Sequence, residues 1–294
     1  MSPGEKRKAL VTGARGQVGT ELLRNVPVTW QAVGLGSAGL DITQPSMVHA
    51  VLQRERPTLV INAAAYTAVD AAERAAEAAE AVNVAGPRNL ATAAERVGAR
   101  VIQLSTDFVF DGEKDRPYLA DDQPRPLNVY GRTKEAGERE VRRLGAQGLV
   151  LRTAWVYASH GRNFVLRMLG LMRERETLSV VADQIGTPTW ARSLTAAVWA
   201  AADRPEVHGI LHWTDAGSAS WYDFGVAIGE EAHAIGLLPR VPTICPVHTG
   251  EFPAAARRPA FSVLDTRAAQ AALGLAPAPW RENLRRMLGE MAGA

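Results

Sequence analysis

Three glycines separated by two residues each, Gly13, Gly16 and Gly19 in VTGARGQVGTELL, follow a short apolar run and open an amphipathic one. Glycine permits a tight turn and a close approach of backbone to ligand. The first turn of the following helix offers unpaired N–H groups and a partial positive charge to an anion such as a pyrophosphate. The spacing is G-x-x-G-x-x-G rather than the G-x-G-x-x-G of many dinucleotide sites. Alone, such a stretch is a turn. Its place after the first strand of an alternating chain turns the reading toward a dinucleotide loop.

That alternation is plain in the first half. Lys8–Thr12, Thr29–Gly34, Thr58–Asn62, Arg100–Ser105 and Leu149–Thr153 are short and apolar, as parallel strands covered on both faces should be. Helical patterns lie at Ser46–Arg56, at Val69–Arg96 with a break near Gly86-Pro87, and at Val129–Leu144. The order predicts an α/β fold with a doubly wound, Rossmann-like parallel sheet. After Trp155 the rhythm loosens, with turns at Gly186-Thr187-Pro188, Pro239–Pro246 and Pro253–Pro259. The expected division is a dinucleotide-binding core over residues 1–157, completed by part of 190–215. A smaller C-terminal substrate-binding lobe over 158–294 is interleaved with it and seated at the carboxyl ends of the strands, where such folds bind ligands.

Composition narrows the partners. At 294 residues and 47% hydrophobic the chain can bury a large core, and 33 basic against 31 acidic residues give no general attraction to nucleic acid or to a membrane surface. No apolar run approaches the roughly 18 residues of a membrane span. The single cysteine, Cys245, excludes an internal disulfide and suits a reducing cytoplasm. The opening MSPGEKRKALVTG reads as charge leading into a first strand, not as a signal peptide. His208, His212, His233 and His248 lack metal-ligand spacing, so no metal site is assigned.

Chemistry concentrates at strand ends. In INAAAYTAVD, the small Ala63, Ala64 and Ala65 let a flat ring lie against the backbone, and in QLSTDFVFDG, Ser105, Thr106 and Asp107 bring hydroxyls and a carboxylate to the sheet edge. In NVYGRTK, Tyr130 and Lys134 are four residues apart, one helix face if the segment is helical. Only four of the 33 basic residues are lysines, so a lysine here asks for an explanation. On spacing alone the pair is equally an ordinary exposed one.

Taken with LDIT at Leu40–Thr43, VNVAGPRNLA, RTAWVY at Arg152–Tyr157, GRNF, and DQIGTPT at Asp183–Thr189, these stretches resemble the extended short-chain dehydrogenase/reductase superfamily, and within it the dTDP-4-dehydrorhamnose reductases, over nearly the whole chain. The resemblance implies reduction of the 4-keto group of dTDP-4-dehydro-β-L-rhamnose to dTDP-β-L-rhamnose. Tyr130 would be the proton donor, Thr106 a hydrogen-bond donor to the same oxygen, and Lys134 the ribose anchor whose charge lowers the phenol's pKa. It implies cofactor contacts from Gly13, Arg15, Gly16, Gln17, Val18, Gly19, Asp41, Ile42, Ala63, Ala64, Ala65, Tyr66, Tyr130 and Lys134. Thr106, Asp107 and Trp155 would touch the nucleotide-sugar, with Arg257 and Arg258 offered to its diphosphate. NADPH is expected over NADH, with NADH also usable, because the second strand brings no carboxylate before Asp41 while Arg15 stands in the glycine loop to meet a 2′-phosphate. The family also implies magnesium, for which the sequence offers no ligands, and the chain is expected to be a monomer or homodimer. Phe108 stands where the family often has tyrosine and where its dehydratase cousins carry an acid. An epimerase or other reductase of the same superfamily, or a non-catalytic cofactor-binding regulatory subunit, remains the alternative.

Overall fold

The computed structural model describes residues 7–293. Residues 1–6, which carry part of the N-terminal charge in the signal-peptide reading, lie outside the described residues. Five strands, β1 (Arg7–Thr12), β2 (Trp30–Leu35), β3 (Leu59–Asn62), β4 (Arg100–Thr106) and β5 (Gly148–Thr153), alternate with α1 (Gln17–Arg24), α2 (Pro45–Glu55), α3 (Val69–Ala72), α4 (Ala76–Glu80), α5 (Gly86–Val97) and α6 (Val129–Arg142). The expected strands are thus present to within a residue or two.

The second half adds β6 (Val156–Tyr157), α7 (Phe164–Glu174), β7 (Thr177–Val181), β8 (Ile185–Gly186), β9 (Thr189–Trp190), α8 (Ala191–Ala202) and β10 (Gly209–His212). It closes with β11 (Ala219–Ser220), α9 (Trp221–Ala234), β12 (Thr243–Val247), α10 (Arg267–Leu273) and α11 (Trp280–Ala292). One all-parallel sheet of six strands runs β10-β5-β4-β3-β1-β2. Strand order reverses between β1 and β3, so their carboxyl ends form the crevice where a doubly wound sheet takes its ligand. The sheet is covered on both faces. Leu22 of α1 and Leu194, Val198 and Trp199 of α8 pack with one side, and Val48, Leu52, Leu90, Ala94 and Val141 of α2, α5 and α6 with the other. Each fully buried leucine among them contributes about 2 kcal/mol from area burial. A separate core joins Met168 and Met172 of α7, Phe224 and Ile228 of α9 and Leu284 and Leu288 of α11. No helix among the described residues is long and apolar enough to cross a membrane.

Two local readings change. The expected break at Gly86-Pro87 is absent. The chain stays helical from Ala76 to Val97, passing through a π-turn at Ala81–Ala85, and the interruption lies at residues 73–75. Proline lacks an N–H, and it follows directly on the π-turn, whose changed hydrogen-bond register lets the helix run on through it. The second change is at Pro239–Pro246, part of which is strand β12, paired in parallel with β7. Pro246 is tolerated because β12 is an edge of a two-stranded sheet.

Candidate active site

The glycine loop packs backbone against backbone at the switch point. Gly13 has φ +64°, and a Cβ there would stand 2.6 Å from the main chain of Ala63 and Ala64. A Cβ on Gly19 would stand 2.2 Å from the Gly13 carbonyl oxygen, so the helix start is pressed onto the turn. Beneath them runs a buried polar row. Thr12 donates to Asn62 Oδ1, which also accepts from the Ala64 N–H at 3.2 Å, and Asn62 Nδ2 donates to Gln103 Oε1 at 2.7 Å. This row fixes Ala63–Ala65 beside the loop. Around it, Gln17 accepts from Asn163 Nδ2 at 2.9 Å, Val18 packs on the core, and exposed Gly16 leaves the mouth open. Arg15 is exposed, and its stem lies over Gly36, just past β2. Asp41 accepts from the backbone and hydroxyl of Thr43, and Asn89 donates to the carbonyl of buried Ile42 at 2.9 Å.

The chemistry-bearing side chains meet at the ends of β4 and α6. Asn128 caps α6 by accepting from the Gly131 N–H at 2.8 Å, and its Nδ2 donates to the Arg257 carbonyl at 2.8 Å. Tyr130 and Lys134 then fall on one helix face. Tyr130 touches Phe108 edge-on, with centroids 5.9 Å apart. Burial pushes its phenol up to about 12, partly offset by the Thr106 hydroxyl and reinforced by the Asp107 carboxylate. Lys134 is 5% exposed and donates to the Leu104 carbonyl at 2.7 Å. Burial brings its amine down to about 8, against the pull of Glu138. Desolvation dominates Tyr130, and it costs the charged form of each group, raising an acid and lowering a base. Asp107 is buried, and burial raises it to about 6 despite hydrogen bonds from Ser262 at 2.6 Å and Thr106 at 3.0 Å.

Trp155 has φ +46°, a left-handed conformation that a bulky residue adopts only under constraint. Its ring lies against the backbone of Gly186 and stacks on Trp221 at 3.6 Å and 6°. Trp221 in turn lines a cavity of about 940 Å³ with Phe164, Arg167, Val180, Gln184 and Arg257. Arg257 is exposed there, whereas Arg258 is engaged by Asp70 at 2.7 Å. Among the described residues no three of His, Cys, Asp and Glu are grouped to hold a metal ion.

Three participants escaped the sequence reading. Asn83, in the π-turn, accepts from the Tyr66 N–H at 2.9 Å and donates to the Tyr66 carbonyl and Thr133 hydroxyl, both at 3.1 Å, so it ties the β3 loop to α6. Ser262 reaches Asp107 from far along the chain, and Trp221 backs Trp155. Only Asn83 left a signal, a polar residue inside an otherwise apolar helical stretch.

A family model described as the RmlD substrate binding domain matches residues 7–292. The dTDP-4-dehydrorhamnose reductase of Burkholderia thailandensis is 44% identical, covering 93% of this chain and 95% of its own. The enzyme of the same name from Escherichia coli K12 is 40% identical over 96% and 97%. A crystal structure of dTDP-4-dehydrorhamnose reductase from Bacillus anthracis in complex with NADP superposes with a TM-score of 0.92 at 36% identity, covering 97% of this chain and all of that one. With its glycine loop, its Tyr130–Lys134 face and this full-length match, the chain belongs to the RmlD substrate binding domain family.

Proposed function

We propose that this chain reduces the 4-keto group of dTDP-4-dehydro-β-L-rhamnose to give dTDP-β-L-rhamnose. The observation that carries the reading is that the Tyr130 phenol meets the Thr106 hydroxyl, with buried Lys134 one turn along the same helix, in a chain 44% identical to a reductase of that name. NADPH fits the cradle at whose Gly13 and Gly19 a Cβ has no room: Gly13, Gly16, Gln17, Val18 and Gly19 would hold it at the N-terminus of α1, with Arg15, Asp41, Ile42, Ala63–Ala65, Tyr66, Tyr130 and Lys134 around it. When bound, it supplies the hydride received by C4 of the sugar.

The protein's own part is proton and charge management. With its phenol near 12, Tyr130 stays protonated through neutral pH and gives its proton to the C4 oxygen as that oxygen becomes an alkoxide. Thr106 turns its hydroxyl from Asp107 to the same oxygen and stabilises the charge developing there. Lys134, through its ammonium, anchors the ribose hydroxyls. Asp107, steadied by Ser262, accepts from a sugar hydroxyl beside the edge of Trp155. The aromatic, arginine-bearing cavity with Arg257 on its wall suits the dTDP portion, a flat base linked to a diphosphate. The test is incubation of pure protein with NADPH and dTDP-4-dehydrorhamnose, following the absorbance of the reduced cofactor and identifying the sugar formed. Cofactor oxidation only in the presence of the keto-sugar is expected. Absence of sugar-dependent oxidation would refute the reading.

A further inference from the structure

Behind the site lies an ion pair that the reaction does not use. Glu138 and Arg152 are 2% and 1% exposed, and their contact is a two-pronged fork, Arg152 Nε to Glu138 Oε1 at 2.9 Å and Nη2 to Oε2 at 2.7 Å. Ser105 Oγ donates to the same Oε1 at 2.5 Å. On the far side, His212 lies 3.4 Å from Arg152 Nη1. Burial and the guanidinium hold this imidazole at about 3, so it is neutral, its Nδ1–H donating to the Tyr118 carbonyl at 3.1 Å and its Nε2 free to accept from Arg152. Stability does not explain such an arrangement. Desolvation offsets most of the attraction, and an apolar pair of similar size is often as good or better.

Its position explains more. Glu138 is one turn beyond Lys134 on the same face of α6, Ser105 immediately precedes Thr106 on β4, and Arg152 is three residues before Trp155 at the end of β5. Resting on the roles assigned above to Thr106 and Lys134, we propose that Glu138, held by Arg152 and Ser105, is the positioning residue of the site. It locks α6 against β4 and β5 and supplies the buried counter-charge that keeps the Lys134 amine cationic. The other titratable groups on the packed elements are accounted for. Tyr130 on α6 is a neutral phenol, Asp107 at the end of β4 bears on Tyr130, Arg152 on β5 is spent on Glu138, and His212 on β10 is uncharged. Arg152 in turn reaches both oxygens of Glu138, so the carboxylate's burial is matched by a partner cation where a lone buried charge would bear the whole desolvation cost.

The chain has four lysines, so a full-length sample with isotope-labelled lysine side chains gives four resonances, with Lys134→Met assigning one. Lys134 is expected to titrate at about 8, well below the roughly 10.4 of an ordinary lysine. In Glu138→Gln its midpoint should fall by about one pH unit or more, and the high-pH limb of kcat/KM for NADPH should move with it. Glu138→Asp should restore most of both. If Glu138→Gln leaves Arg152 so exposed as a lone charge that the chain unfolds, Glu138→Gln/Arg152→Met removes both charges, and its midpoint must still fall, by less than in the single variant because the guanidinium's repulsion is removed with the carboxylate's attraction. An unmoved midpoint in either folded variant overturns the inference. The resonance needs no turnover: a shifted midpoint in a protein inactive on the keto-sugar would sink the proposed reaction while the counter-charge role stands.

Discussion

Thr106, Tyr130 and Lys134 come from one strand end and the helix that follows it, whereas the cavity wall gathers Phe164 and Arg167 from α7, Val180 from β7, Trp221 from α9 and Arg257 from a late loop. The first region is buried and tied by short hydrogen bonds to backbone: Lys134 to Leu104, Asn128 to Gly131, Asn83 to Tyr66. The second is held by side-chain packing, such as the Trp155–Trp221 stack, and offers exposed arginine. A region fixed by backbone geometry suits chemistry, which tolerates little displacement, while a wall of packed rings and long cations suits a ligand's remote groups. Damage to the first should therefore appear in kcat and damage to the second in KM.

Tyr130→Phe is the largest expected effect. Removing the proton donor should cut kcat by about 10² to 10⁴ while the dissociation constant for NADPH, measured by titration, stays within a factor of about two. Activity near that of the parent would break the division at its centre. Next comes pH. Lys134 is cationic below its midpoint of about 8 and neutral above it, so kcat/KM for the cofactor should fall as pH rises through that value. The decline approaches about tenfold per pH unit. A profile flat to pH 10 would show that the amine's charge is not what the cofactor reads. Trp155→Ala then tests the other side. KM for the nucleotide-sugar should rise about tenfold with KM for NADPH unmoved, and equal effects on both together with a lowered Tm would make Trp155 a core residue instead.

The same contrast governs what the sequence could reveal. Strand ends, the glycine loop and the Tyr130–Lys134 face are local: they follow from apolar run length, from conformations open to glycine, and from helical spacing. The π-turn that aims Asn83 is a register change of one hydrogen bond, which side-chain periodicity does not record. Glu138 looked like any charge on a polar helix until β5 brought Arg152 beside it, and Arg258 gave no sign in the sequence of its ion pair with Asp70. Strand β12 was hidden by its own proline, which is harmless only because that edge is unpaired. Pairing partners distant in sequence are created by topology, so polarity can mark such residues without saying whom they meet.

Arg15 lies between the two regions in kind, on the cofactor side yet exposed like the wall, and it should give the smallest effect. Its stem rests over Gly36 at the end of β2, and the residues that follow, Ser37 and Ala38, bring no carboxylate to that edge. An acid at this point would accept from the adenosine ribose hydroxyls of NADH and repel a 2′-phosphate; its absence beside a guanidinium favours the phosphate. Because Arg15 is exposed, water and salt screen most of that attraction, and about 1 kcal/mol is the expected scale. The ratio of kcat/KM for NADPH to that for NADH should thus fall about fivefold in Arg15→Ala, and the difference should shrink further as ionic strength rises. A ratio untouched by the substitution would assign the preference to backbone N–H groups of the glycine loop, and would extend the rule of the strand-end region to cofactor choice as well.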